Sequence, residues 1–110
     1  MSEFKRIPVA EAVSLLASES RARLVDIRDP VSFATSHVAG ALHLTNENLP
    51  AFLDSLEESD PVLVLCYHGN SSQGAAHYLA SQGFSQVFSV DGGFAKWSLE
   101  HPAMLEGNRG

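Results

Sequence analysis

The chain has 110 residues, of which 45% are hydrophobic and 18% charged, and its formal net charge is −6. That length suits a single domain, residues 1–110, and is too short for two. The acidic balance argues against a nucleic-acid partner, which wants a basic face. The longest unbroken apolar stretch, residues 62–67, falls far short of the ~20 residues a membrane span needs. Residues 1–8 carry charges at Glu3, Lys5 and Arg6 and no apolar segment of a signal peptide. One cysteine, Cys66, cannot make an internal disulfide. Together these features lead to the expectation of a cytoplasmic protein.

Helical and strand patterns alternate along the chain. Val9, Ala12, Val13 and Leu16 fall at i, i+3, i+4 and i+7, the stripe of an amphipathic helix. Residues 23–27 read as a short buried strand interrupted by Asp26. Asp29-Pro30 is a helix-start signal, with Asp as N-cap and Pro in the first turn. That helix must be short, because Gly40 follows and residues 41–44 read as another strand. Leu49, Phe52, Leu53 and Leu56 form a second helical stripe, which Asp60-Pro61 breaks.

Residues 62–66 are the most apolar run, and without polar alternation they suit a central strand covered on both faces. After the loop of residues 67–71, Ser72 reads as the N-cap of a helix carrying Ala75, Ala76, Leu79 and Ala80, and Gly83 as its stop. Residues 87–90 form the last strand expected. Asp91-Gly92-Gly93 is a turn, and Phe94 and Trp97 lie one helical turn apart beyond it, as core residues. Residues 106–110 are expected to fray. Short strands separated by helices imply an α/β domain, a parallel sheet with helices on both faces.

The segment with chemical content is Cys66-Tyr67-His68-Gly69-Asn70-Ser71-Ser72, between the most buried strand and a helix start. In open parallel sheets, ligand sites lie at the carboxyl ends of strands, where Cys66 stands. The first N–H groups of the next helix lack intrahelical partners and point back toward that end, and the helix dipole favours negative charge there. A tight turn through Gly69 and Asn70, residues that tolerate unusual backbone angles, can curl further N–H groups around the sulfur. Such a nest lowers a thiol pKa and makes Cys66 a candidate nucleophile. The competing reading is a small hydrophobe closing a buried strand.

His68 is the one potentially cationic side chain of the loop, placed to attract an anion when protonated or to serve no role at all. Ser71 and Ser72 offer hydroxyl donors. Asp26 and Arg28, at another strand end, are placed to touch substrate but read rather as a structural ion pair or as hydrogen-bond partners of nearby loops, and His37 as a structural hydrogen-bonding residue of its turn. Cys66-x-His68 is a poor pair for a metal, and the remaining histidines, His43, His77 and His101 among them, are scattered, so no metal site is expected.

Three blocks make the chain similar to a known family. They are Asp26-Ile27-Arg28-Asp29-Pro30 through Phe33 with His37-Val38-Ala39-Gly40-Ala41; residues 62–72; and Asp91-Gly92-Gly93-Phe94 with Trp97. In this order, over nearly the whole chain, they resemble the single-domain rhodaneses, the thiosulfate sulfurtransferases, of the bacterial type. Ser36 departs from the pattern, where the family usually has Gly before the His; that position belongs to the fold.

The resemblance implies a three-layer α/β/α rhodanese-like domain with a five-stranded parallel sheet, catalysis by Cys66, and a substrate- and persulfide-binding loop of Tyr67, His68, Gly69, Asn70, Ser71 and Ser72. It implies no cofactor. The implied reaction takes the sulfane sulfur of thiosulfate onto Cys66, releases sulfite, and passes the sulfur to cyanide or to a dithiol such as reduced thioredoxin. An alternative is a sulfur-relay module loaded by a partner protein. Phosphatase-like relatives have a longer loop closed by an Arg that clamps phosphate; here Cys66-x5 is followed by Ser72 with no Arg, which points away from phosphatase and arsenate-reductase readings.

Overall fold

The apolar run of residues 62–66 folds as the centre of the molecule. In the computed structural model, which describes residues 3–107, five parallel strands form one sheet in the order β1 (Lys5–Ile7), β6 (Val87–Val90), β5 (Val62–Leu65), β2 (Arg23–Asp26) and β4 (Leu42–His43). All four residues of β5 are fully buried. Its side chains alternate between two cores. Leu63 and Leu65 face one with Val9 and Ala12 of α1 (Val9–Ser18) and Phe94 and Trp97 of α5 (Gly93–Glu100). Val62 and Val64 face the other with Phe52 of α3 (Leu49–Asp54) and Ala76 and Leu79 of α4 (Ser71–Ser81). A strand covered on both faces has no reason to alternate polar and apolar residues, hence the unbroken pattern. The result is the three-layer α/β/α architecture.

The remaining helix, α2 (Pro30–Thr35), starts where the sequence signals it. The Asp29 carboxylate accepts from the Ser32 N–H at 3.0 Å and from its hydroxyl at 2.7 Å, and Pro30 occupies the first turn. The helix then leads into β3 (His37–Val38), which pairs antiparallel with β7 (Leu105–Glu106) in a separate two-stranded sheet. Residues 87–90 are therefore not the last strand. Glu106, expected to fray, is paired opposite His37, while residues 108–110 lie outside the described residues. As expected, His37 is tied into its own turn: its Nδ1–H donates to the Phe33 carbonyl at 2.7 Å.

Two ion pairs pin the sheet's two ends. At the upper end, the Asp26 carboxylate accepts from the Arg28 main-chain N–H (3.0 Å), Nε (3.1 Å) and Nη2 (2.9 Å), with both side chains buried. Arg28 Nη2 also donates to the Ser36 carbonyl at 2.7 Å, joining the chain ahead of β3 to the end of β2. The structural role expected of this pair is what the geometry gives. At the lower end, Asp60 accepts from Arg21 Nε and Nη2, each at 2.6 Å, and from the Glu57 N–H at 2.9 Å. This fork ties the turn before β2 to the turn before β5.

The Arg21 hydrogen bonds and the Glu57 N–H lower the Asp60 pKa to about 2. An unfolded Asp titrates at about 3.9. The group is thus depressed in the folded state, and its contribution is complete above about pH 4 and is lost as pH falls toward 2. Urea midpoints of wild type should therefore fall from pH 5 to pH 2.5 more steeply than those of Asp60→Asn; parallel curves would remove Asp60 from the acid response.

Candidate active site

β2 and β5 are neighbours, but the chain leaves them in opposite directions, from β2 to β4 on one side and from β5 to β6 on the other. Ligand sites in open α/β sheets form beyond the carboxyl ends of the strands at such a switch point. Cys66 follows β5 directly, and Ile27 and Arg28 follow β2. The Ile27 N–H donates to the Leu65 carbonyl at 2.9 Å, holding the two strand ends together.

The chain then turns sharply. Gly69, at φ +91°, takes the left-handed conformation that the reversal needs. A Cβ there would stand 3.0 Å from Gly92 N and 3.1 Å from the Val90 carbonyl, so the position also lacks room for a side chain. Asn70, expected to share the unusual backbone, is instead in the right-handed helical region at φ −94° and is the N-cap of α4 without a side-chain cap bond. Ser72 is therefore not the N-cap but the second residue of the helix. Its side chain points inward, fully buried. Ser71, one residue earlier, is exposed.

These turns bring three donors to one sulfur. Cys66 Sγ lies 3.2 Å from the Gly69 N, 3.1 Å from the Ser72 N and 3.3 Å from Ser72 Oγ. In the thiol form the S–H donates to Ser72 Oγ; in the thiolate form the hydroxyl turns to donate to the sulfur. Burial pushes the Cys66 pKa up, but the Ser72 hydroxyl and the N–H groups of Ser72, Gly69 and His68 outweigh it and hold the thiol below its ordinary value. Donors of this kind stabilise a thiolate, and the reading of Cys66 as a plain core residue does not call for them.

A second helix completes the loop. The first N–H groups of α5 are free for outside partners, and Phe94 N–H donates to the Cys66 carbonyl at 2.8 Å and Ala95 N–H to the Tyr67 carbonyl at 3.0 Å. Gly93, at φ +58°, permits this approach: a Cβ there would fall 2.5 Å from the Cys66 carbonyl oxygen. Above the sulfur the rim is exposed. Tyr67 packs edge-on to Phe94 (centroids 6.4 Å apart) and tilts against His68 at 4.9 Å. The Arg28 guanidinium lies 3.8 Å from the Phe94 ring centroid and 5.9 Å from that of Tyr67, so the buried ion pair also props the rim. Tyr67, His68, Asn70 and Ser71 share this outer edge, while Cys66, Gly69 and Ser72 form the floor.

Sequence reasoning missed Ser89. It sits on β6, fully buried, with its Oγ 2.8 Å from Ser72 Oγ. The one available signal was a hydroxyl inside an otherwise apolar strand, Val87-Phe88-Ser89-Val90. Among the described residues there is no group of three or more His, Cys, Asp or Glu able to hold a metal ion.

Comparison with known proteins decides the family. The model of the rhodanese-like domain matches residues 9–100. This chain belongs to that family. Among its relatives, the thiosulfate sulfurtransferase GlpE of Pseudomonas fluorescens strain Pf0-1 is 53% identical over 103 residues, covering 94% of this chain and 93% of the relative. GlpE of Tolumonas auensis is also 53% identical, over 93% of this chain and 95% of its own length. Among solved structures, the rhodanese-like domain of the Alr3790 protein from Anabaena superposes with a TM-score of 0.82 at 26% identity, covering 97% of this chain and 82% of that one. A rhodanese-like domain protein from Staphylococcus aureus gives 0.77 at 25% identity, covering 96% and 99%. The rhodanese fold expected from the sequence is thus the fold observed.

Two substitutions probe the geometry. Ser72→Ala removes the hydroxyl but keeps the main-chain donor, and the pH midpoint for alkylation of Cys66 should rise by about one unit; an unmoved midpoint would remove the hydroxyl from the site. Gly93→Ala should destabilise by roughly 2–4 kcal/mol in urea unfolding, because strain at positive φ adds to overpacking against the Cys66 carbonyl. Gly40→Ala, also at positive φ (+86°) but with nothing within 4 Å, should cost only about 1 kcal/mol. Equal costs at the two sites would mean that the close approach at Gly93 contributes nothing.

Proposed function

We propose that this chain is a thiosulfate sulfurtransferase that works as one domain and carries sulfur on Cys66. The observation behind this reading is the set of donors on the Cys66 sulfur, in a loop without Arg or Lys. The 53% identity to the GlpE thiosulfate sulfurtransferases over nearly the full length supports the same reaction.

In the first step the Cys66 thiolate attacks the outer sulfur of thiosulfate. A sulfur–sulfur bond forms, the bond to the sulfonate breaks, and sulfite leaves with the electron pair, so Cys66 becomes a persulfide anion. In the second step a nucleophile takes the outer sulfur and returns the thiolate: cyanide leaves as thiocyanate, and a dithiol acceptor such as reduced thioredoxin takes the sulfur in the cytoplasm. Two half-reactions sharing a covalent intermediate give ping-pong kinetics. The main-chain donors of the loop stabilise negative charge on sulfur in each stage, as an oxyanion hole does for oxygen.

Thiosulfate is a dianion, and the protein's net charge of −6 repels it over distance. Local fields must offset that. α4 and α5 both present their N-terminal, positive ends to the loop, and His68, exposed on the rim, is the cationic candidate for the sulfonate. The bond formed is to a single sulfur atom, which needs no planar fork of donors; a phosphoryl group, with three oxygens, is served by an Arg that this loop lacks.

Mixing with thiosulfate followed by intact mass measurement should add one sulfur atom to wild type and none to Cys66→Ala, with sulfite released in equal amount. Cyanide should then discharge the added sulfur. If thiosulfate leaves wild type unchanged while a protein persulfide loads Cys66, the chain is a relay module and not a thiosulfate enzyme.

A further inference from the structure

Ser72 Oγ has two neighbours. One is the Cys66 sulfur at 3.3 Å; the other is Ser89 Oγ at 2.8 Å, on the strand beside β5. Both hydroxyls are fully buried, so no bulk water competes for them. A hydroxyl has one proton to donate. When Cys66 is a thiol, its S–H donates to Ser72, and Ser72 donates to Ser89. Once the thiol proton has left for solvent, the sulfur can only accept: Ser72 must turn its proton toward the sulfur, and its own oxygen then needs a new donor. Ser89 is the group placed to be that donor.

We propose that Ser89 is a positioning residue for the sulfur chemistry: it reverses its hydrogen bond to Ser72 whenever Cys66 becomes anionic, and so holds the Ser72 hydroxyl on the sulfur. No proton passes along the pair; each hydroxyl keeps its own and rotates. The Ser72 hydroxyl is among the groups that lower the Cys66 pKa, which is the direction a donor held on the sulfur gives. A buried hydroxyl chain of this kind is polarised by the charge at its end, which makes the second member count even without contact to the reacting atom. The inference shares with the proposed function only the premise that the Cys66 sulfur is the reacting atom.

Other charged or titratable groups surround the loop: Tyr67 and His68 within it, the Asp26–Arg28 pair after β2, Asp91 after β6 and Lys96 on α5. Asp26 is paired with Arg28, Asp91 with Arg6, and Lys96 faces Glu100. Among the described residues, none of their side chains bonds to the sulfur or to either hydroxyl. A change in Cys66 ionisation on altering Ser89 is therefore to be traced through Ser72.

The test is a double-mutant cycle read by the rate of Cys66 alkylation with iodoacetamide against pH, which does not involve thiosulfate. Ser89→Ala should slow alkylation at neutral pH about twofold to fivefold and raise the midpoint by the corresponding 0.3–0.7 unit, with the limiting rate at high pH unchanged. Ser89→Thr, which keeps the hydroxyl, should restore the wild-type midpoint. In a Ser72→Ala background, Ser89→Ala should cause no further shift. Ser89→Ala removes one oxygen atom from a buried site and leaves the fold to be checked by circular dichroism. If Ser89→Thr is too bulky to fold, the cycle decides alone. A wild-type midpoint in Ser89→Ala, or a shift of the same size with and without the Ser72 hydroxyl, overturns the proposal. Failure of thiosulfate to load the wild-type protein would instead count against the proposed function and leave this result standing.

Discussion

Two main-chain hydrogen bonds, from Phe94 N–H to the Cys66 carbonyl and from Ala95 N–H to the Tyr67 carbonyl, orient the loop on which the site depends. A peptide unit has its carbonyl and its N–H on opposite sides. The two anchored peptides carry the Tyr67 and His68 N–H groups; with their carbonyls drawn to the free donors of α5, the His68 N–H is turned toward the sulfur and the chain is set for the turn that brings in the Gly69 and Ser72 donors. The same bonds fill the unpaired N-terminal donors of α5, which would otherwise be buried without partners. The close approach is possible because residue 93 has no side chain and because residue 92 turns the chain through a left-handed conformation just before it. One helix start thus supplies donors to the sulfur, and another holds the backbone that does so.

The electrostatic balance of the site is local. Arg28, the cation that follows β2, is neutralised by Asp26 in a buried bidentate pair and lies over the Phe94 ring. Its charge supports the architecture and is not free to meet a substrate. Stabilisation of an anionic sulfur is left to dipoles: the main-chain N–H groups of His68, Gly69 and Ser72, one hydroxyl, and the aligned peptides of α4 and α5. Fixed dipoles need little reorganisation as charge moves from one sulfur to the next. That suits a group that is charged at each stage of the proposed cycle.

Much of this fold was readable because its elements are of the kind that sequence patterns report well. β5 announced itself as an apolar run covered on both faces, α1 as a stripe at helical spacing, and α2 by a cap-and-proline pair whose bonds are present in the structure. β1 was not readable. Of its three residues only Ile7 is buried, and the exposed Lys5 and Arg6 resemble any polar terminus. β3 and β7 have two residues each and owe their existence to pairing with one another across more than half of the sequence; no local pattern encodes such a contact. The fifth strand of the sheet followed only from the family resemblance.

Within the site, the sequence located the sulfur and its loop but misplaced the cap by two residues. Ser at a helix start normally gains most by accepting from the backbone, so Ser72 read as an N-cap. Here Asn70 is the N-cap and Ser72 is the second residue of the helix, which turns its side chain from solvent to the buried face shared with Ala76 and Leu79. A hydroxyl on that face needs partners, and it has them in Cys66 and Ser89. Ser89 in turn is a buried hydroxyl on β6, between Phe88 and Val90. The pair of buried hydroxyls follows from a shift in helix phase and from the register that sets β6 beside β5. Neither is visible in a chain read one segment at a time, because Ser72 and Ser89 are 17 positions apart and meet only after the sheet has formed.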